Sequence, residues 1–373
     1  MNDPRALSVL HVSQPTEAGV ARIAADLAAD QAARGWRVGI ASPAEGALPG
    51  WTRAAGAVHL EWRAGRSPGP GIAGEILRLR RCVRGFKPDL VHLHSSKAGL
   101  AGRLLLRGKV PTIFEPNAWS FEAVRGPIAS MTRLWERMGA RWATATVCVS
   151  GAEMELGRGA GIDGEMRVIP NGIDLQRFPV AVAADRSAAR RMLGLSDDPT
   201  VVCVGRLSEQ KGQDLLLDAW AIVLARRPEA RLLLIGDGPD RETLEARKLP
   251  RVGLVGQRDD VPTWLAAADL VAMPSRWEGC SLAMLEALAR GRSIVASDVS
   301  GAREAIADDA GAVVPIGGVE ALAVAIVERI EDPDLTEREG SAGRRRAEER
   351  HDLRKTAQQM ADLYAEVLGQ RKS

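Results

Sequence analysis

Short runs of β-branched residues and leucine recur along the chain, each followed by a longer stretch whose apolar residues return at helical spacing. In the first half the strand-length runs fall at residues 7–12, 38–41, 58–60, 90–94, 110–114 and 146–149. Between the first two, Val20, Ile23, Ala24, Leu27 and Ala28 mark the inner face of a helix. The second half repeats the scheme with runs at 201–204, 231–235, 252–255, 270–273, 294–296 and 312–314. Strands that alternate with helices pair in parallel and are covered on both faces, so the pattern predicts an α/β protein of two doubly wound domains. The turn-forming cluster Pro170-Asn171-Gly172-Ile173-Asp174 marks the join, and a charged linker is expected to fill most of the gap before Val201. The expected domains are 1–175, joined by 354–373, and 176–353. A closing helix over 353–368 has Leu353, Ala357, Met360, Leu363, Tyr364 and Val367 as its candidate buried face.

Length and composition agree with two globular domains: 373 residues, 46% hydrophobic and 26% charged. The net charge is only +2, but residues 1–175 hold 22 basic against 16 acidic residues, and the remainder 28 against 32. Much of the first half's excess lies between Arg63 and Lys109, where eleven Lys or Arg face only Glu75 and Asp89. Ile72, Ile76, Leu79, Val83 and Phe86 form the apolar stripe of a helix there, turning Arg80, Arg81 and Arg84 outward. Such a face suits an anionic membrane surface or an anionic acceptor, or is plain solvated surface. The basic residues are not interleaved with aromatics, so nucleic acid is not expected as a partner. The four cysteines, Cys82, Cys148, Cys203 and Cys280, are isolated in sequence, which points to a reducing compartment and excludes a cysteine-type metal motif. No apolar stretch reaches bilayer length, and 7–12 is a strand-length run, not a leader. A cytoplasmic protein, at most peripheral on the inner face of the membrane, is expected.

Parallel sheets bind ligands beyond the carboxyl ends of their strands, and several motifs lie there. Residues 14–20 form a loop ending at Gly19, where a helix begins and backbone N–H groups can meet a phosphate. His92 and His94 alternate along one strand, so their side chains share a face, and Ser95-Ser96-Lys97 follows. After the strand at 201–204 comes Gly205-Arg206-Leu207-Ser208-Glu209-Gln210-Lys211-Gly212, in which Arg206 offers a planar fork and Lys211 a mobile point charge. It is not a P-loop, since no glycine-rich run leads into the lysine. Gly236-Asp237-Gly238-Pro239 ends the next strand in a turn. Finally Pro274-Ser275-Arg276-Trp277-Glu278-Gly279-Cys280-Ser281-Leu282 leads into a helix that carries Glu286, with Ser281 as the expected N-cap. The first turn of that helix is a natural seat for an anion.

Taken in order, Gly19, His92-x-His94, Asn171-Gly172-Ile173-Asp174, Gly205-Arg206 with Lys211-Gly212, Gly236-Asp237-Gly238-Pro239, Glu278 and Glu286 closely resemble glycosyltransferase family 4. The resemblance implies a GT-B architecture: two Rossmann-like domains facing a central cleft, with the C-terminal helix packing back on the first. It also implies transfer of a sugar from a nucleotide diphosphate donor, a UDP- or GDP-sugar, with retention of configuration and without a catalytic metal or other cofactor. By the same resemblance Arg206 and Lys211 hold the diphosphate, Glu278 the sugar hydroxyls and Glu286 the ribose. Gly279, Cys280, Ser281 and Leu282 line the donor site, and Gln257, Arg258 and Val261 meet the nucleobase. His94, Ser95 and Lys97 fall to the acceptor side.

Two departures stand out. Ala18-Gly19 replaces a pair of glycines common in the family, and Asn117 stands where the family usually carries a histidine near the donor sugar. Asparagine does not titrate near neutrality, which removes a proton-handling role from that position. The acceptor implied is a hydroxyl, and a lipid-linked saccharide of envelope or exopolysaccharide assembly fits the basic patch. A small natural product, or a non-catalytic nucleotide-sugar-binding subunit, is the alternative. A metal-dependent GT-A enzyme would need an Asp-x-Asp motif, and the sole match, Asp332-Pro333-Asp334, reads as a turn. A nicotinamide enzyme would need a full Gly-x-Gly-x-x-Gly after the first strand, which is missing.

Overall fold

The computed structural model describes residues 6–66 and 69–369. The outermost residues of the first domain as bounded above, 1–5 and 370–373, lie outside the described residues, as do 67–68. Two compact units divide between Asn171 and Gly172, inside the turn-forming cluster, and the chain returns to the first unit at Leu353.

The first unit is built on β1 (Ser8–Ser13), β2 (Arg37–Ser42), β3 (Val58–Glu61), β4 (Leu90–His94), β5 (Thr112–Glu115), β6 (Ala145–Cys148) and β7 (Met166–Val168). They form one parallel seven-stranded sheet in the order β3-β2-β1-β4-β5-β6-β7. All residues of β1, β4, β5 and β6 are buried, as expected where helices cover both faces of a sheet. The register sets His11 beside His92, Ser13 beside His94, and His94 beside Glu115, so these polar side chains gather near one end of the central strands. The closing helix, Leu353–Gly369, belongs to this unit and packs on the helix Ala18–Ala33. It buries Ala357, Met360, Leu363, Tyr364 and Val367, while Leu353 at its start is only half-buried.

The second unit contains β8 (Thr200–Val204), β9 (Arg231–Ile235), β10 (Val252–Gly256), β11 (Leu270–Met273), β12 (Ser293–Ser297) and β13 (Gly311–Val314). They form a parallel six-stranded sheet ordered β10-β9-β8-β11-β12-β13. Its core joins Val201, Leu232, Leu234, Leu270 and Val295 to Leu216, Trp220, Val223, Leu322 and Ile326 of the flanking helices. The segment expected to be a linker is instead part of this unit. Ala183–Leu193 is a helix packed on Val261–Ala267, anchored by Arg190, whose guanidinium reaches Ala267 O at 3.0 Å and Asp269 Oδ2 at 2.5 Å. Its inward groups are Ala189 and that arginine, so no apolar stripe announced it. Among the described residues no helix is long and apolar enough to cross a membrane.

Candidate functional site

In the second sheet β9 lies on one side of β8 and β11 on the other, so the chain's winding reverses between β8 and β11. Loops leave the strand ends in opposite directions at such a switch point and open a crevice between them. The loop after β8 contains Arg206 and a single 3-10 turn, Glu209–Lys211, and the loop after β11 runs from Pro274 to Ser281. They are locked together. Gly212 turns at φ +67°, and a Cβ there would lie 2.2 Å from Pro274 O, so only glycine lets the two backbones meet. Arg276 N donates to Gln210 O at 2.8 Å, and Gln210 Nε2 donates to Trp277 O at 3.1 Å. Arg276 grips the Asp214 carboxylate with both terminal nitrogens, at 2.8 and 2.6 Å. That fork holds the Asp214 carboxyl below its usual range.

Between these two loops Lys211 Nζ lies 2.5 Å from Glu278 Oε1. Ser275 Oγ donates to the same carboxylate oxygen at 3.1 Å, and Lys211 Nζ also reaches Ser281 Oγ at 3.5 Å. Ser281 takes the N-cap position of the helix Leu282–Ala289, as the sequence predicts, but its hydroxyl makes no capping bond. It is turned to the lysine instead, which leaves the opening N–H groups of the helix to other acceptors. Gly279, Cys280, Ser281 and Leu282 are buried around this pair, and Glu286 is half-buried one turn further on. Arg206 is half-buried, its carbonyl accepting from Gln213 Nε2 at 3.1 Å. At the next strand end, a Cβ on Gly236, at φ +140°, would lie 2.1 Å from Gly205 O. This glycine therefore sets how closely the β9 loop approaches the β8 loop. Gln257 and Arg258 are exposed after β10, and Val261 opens the helix Val261–Ala267. Arg258 is tied to Asp260 by two 2.8 Å bonds and lies over the Trp264 ring.

The first sheet has its own switch point, between β1 and β4. Gly19 lies in the opening turn of the helix after β1, next to Ala18, which adopts φ +59°. This is left-handed backbone carried by an alanine, at the place where the family often has a second glycine. After β4, Ser95 has φ +73°, and Lys97 is buried in a 2.7 Å ion pair with Glu75. His94 is fully enclosed. His11 Nδ1 and His94 Nε2 share a hydrogen bond of 2.9 Å, His11 Nε2 meets Gln31 Oε1 at 2.8 Å, and His92 Nδ1 meets Tyr364 OH at 2.6 Å. Glu115 Oε2 lies 3.2 Å from His92 Nε2 and 3.7 Å from His94 Nδ1. Ring nitrogens of the three histidines come within 4.8 Å of one another, but hydrogen bonds already join His11 to His94 and tie His92 to Tyr364. Burial lowers the pKa of all three rings, that of His11 to about 4, so they are neutral at pH 7.

Asn117 caps this network: its Nδ2 donates to Glu115 Oε1 at 2.7 Å. Asn117 and Ala118 both adopt positive φ, +52° and +84°. A second buried carboxylate, Glu153, steadies the strained pair by accepting from Ala118 N at 2.6 Å and Val149 N at 2.7 Å. Burial pushes Glu153 up to about 8, against the pull of those two bonds. No sequence motif marks Glu115 or Glu153, nor His11, Ser275, Asp214 and Arg276 in the roles seen here. Their signal is three-dimensional, except that Ser150 three residues before Glu153 has the spacing of a capping box.

Two Rossmann-like units, the second with a cation and a carboxylate paired at its switch point and the first recovering the C-terminal helix, define the GT-B class of glycosyltransferases. Residues 18–177 match the model described as Glycosyltransferase Family 4, and residues 198–332 that of Glycosyl transferases group 1. The α-D-kanosaminyltransferase of Streptomyces kanamyceticus is 31% identical over 315 residues, covering 78% of this chain and 81% of that protein. The chain therefore belongs to glycosyltransferase family 4, a class of retaining, metal-independent hexosyltransferases that use nucleotide sugars. The GDP-mannose-dependent monoacylated α-(1-6)-phosphatidylinositol monomannoside mannosyltransferase of Corynebacterium glutamicum is 36% identical over 194 residues, 48% of this chain. That match spans about half of the relative's length, 51%. Among solved structures, Anabaena HepE in complex with UDP and glucose superposes with a TM-score of 0.83 at 23% identity, covering 96% of this chain and 99% of that one.

Proposed function

We infer that the chain transfers a hexose, with retention, from a nucleotide diphosphate sugar to a hydroxyl of a lipid-linked saccharide in cell-envelope or exopolysaccharide assembly. The observation that carries this reading is the Lys211–Glu278 pair at the β8/β11 switch point, a 2.5 Å contact beside the start of a helix. Lys211 and Arg206 supply positive charge for the leaving diphosphate, and the N–H groups after Ser281 add partial charge without a metal. Glu278, held by Lys211 and Ser275, is oriented to accept hydrogen bonds from sugar hydroxyls, and Glu286 from the ribose. The bond from the anomeric carbon to the diphosphate oxygen breaks and the acceptor oxygen forms its bond on the same face. The acceptor proton passes to the departing phosphate oxygen, so the donor's other face needs no nucleophile. In this reading the first unit binds the acceptor and the second the donor, with Gln257, Arg258 and Val261 near the base.

The Corynebacterium relative's name includes GDP-mannose and a phosphatidylinositol mannoside, which supports a lipid-linked acceptor. A membrane-associated cytoplasmic enzyme follows, with Arg80, Arg81 and Arg84 exposed on the helix Ile72–Phe86 toward an anionic surface. Two members of the basic cluster counted in the sequence do not contribute to that surface: Lys97 and Arg103 are buried, paired with Glu75 and Glu136. The second reading is a small natural-product acceptor, for which the Arg80, Arg81 and Arg84 face is plain solvated surface. Proton NMR of the transfer product in excess chelator tests the chemistry. The product is expected to keep the donor's anomeric configuration, at an undiminished rate. An inverted product, or a rate restored only by manganese, would sink it, and a non-catalytic subunit would give no product with any donor.

A further inference from the structure

The helix Gly126–Ala140 is built inside out. At about 100° per residue, Ile128, Met131, Leu134 and Met138 fall in one stripe of roughly 120°, which on an ordinary surface helix would face the core. Here the inward face is Ala129, Gly139 and Ala140 together with Glu136. Glu136 is tied down by Arg103 at 2.7 Å and Ser120 at 2.8 Å. The four large side chains point to solvent, exposed by 58, 68, 55 and 44%. Isolated exposed apolar residues are ordinary, but a contiguous stripe on one helix marks a surface that something covers. The surrounding charge is of one sign. Arg125 lies on one flank and Arg137 and Arg141 on the other, all exposed with Arg133, and the helix's sole carboxylate, Glu136, is the buried one.

We propose that this helix docks on an anionic lipid bilayer, laying Ile128, Met131, Leu134 and Met138 into the headgroup and acyl boundary while the flanking arginines meet lipid phosphates. An amphipathic helix with an apolar face and basic flanks binds such an interface by both terms together. The inference rests on the lipid-linked acceptor proposed above and moves the principal contact away from Arg80, Arg81 and Arg84. Those arginines lie on Ile72–Phe86, which packs against Ser95–Leu106, which in turn packs against Gly126–Ala140. They supply a secondary electrostatic contact.

Sedimentation of the full chain with phosphatidylglycerol-rich and with phosphatidylcholine vesicles tests this. The wild type is expected to sediment with the anionic vesicles, and Met131→Asp/Leu134→Asp to lower the partition coefficient at least tenfold. Both positions are exposed, so thermal midpoint and nucleotide diphosphate affinity are expected to stay unchanged. Arg80→Ala/Arg81→Ala/Arg84→Ala is expected to have the smaller effect. If the double Asp variant binds like the wild type while the triple variant does not, the docking face is the one on Ile72–Phe86 and this inference fails alone. A wild type that ignores anionic vesicles yet binds a nucleotide diphosphate overturns the membrane contact and leaves the donor chemistry standing. Light scattering that finds a dimer broken by Met131→Asp/Leu134→Asp, with no vesicle binding, would make the stripe a self-association surface.

Discussion

At Gly212 the backbone occupies left-handed space, and the volume a methyl group would need is already held by Pro274 O. Both costs fall on one substitution: strain of the order of 1 kcal/mol from the backbone and a contact that only a shift of the β8 or β11 loop relieves. Gly212→Ala is therefore expected to destabilise the protein by about 2–3 kcal/mol, read as a lower urea midpoint. It should also weaken donor binding by displacing Lys211. An unchanged midpoint would mean the two loops are not clamped as described. Ala18 makes the contrast, since it accepts φ +59° with no glycine to relieve it. The sequence made Lys211-Gly212 visible as a motif. It did not reveal why the glycine is needed, because the constraint comes from a loop some sixty residues away.

The strands carry the next level of order. β1, β4 and β5 contribute His11, His92, His94 and Glu115 to one buried network, and the closing helix adds Tyr364. Each ring has a folded-state pKa below its ordinary value of 6.5. The unfolded chain thus takes up more protons than the folded one below that value. The stability these rings confer is present above about pH 6.5 and lost as pH falls toward about 4. Glu153 acts in the opposite sense: raised to about 8, it favours the folded state at low pH and loses that advantage as pH rises through 8. One rising group does not offset three falling ones. The thermal midpoint is expected to drop between pH 6.5 and 4.5, less steeply in His11→Asn. A midpoint that holds level or climbs on acidification would show the rings are not buried neutral. The strands themselves were legible because runs buried on both faces are almost wholly apolar, as in 201–204 and 270–273. β7 was not: three residues, Met166, Arg167 and Val168, at an edge and largely exposed, leave no apolar signal. The network was half legible, through His92-x-His94 alone, because pairing between β1 and β4 brings in residues eighty positions apart.

Across the molecule, alternation of strand and helix foretold both doubly wound sheets, and the family resemblance foretold the return of the last helix to the first unit. Periodicity reports which way a stripe faces only if stripes face inward, so it could not foresee that Gly126–Ala140 turns its large residues out. The central claim is that the second unit binds a nucleotide diphosphate at its switch point through Lys211, without a metal. Titration calorimetry of UDP and GDP into the wild type and Lys211→Ala, in excess chelator, tests it most directly. The account predicts that one of the two nucleotides binds the wild type in chelator. It also predicts that Lys211→Ala weakens binding by about 1.5–3 kcal/mol, the worth of a charge-assisted contact. Binding that vanishes in chelator, or that is the same in both proteins, would contradict it.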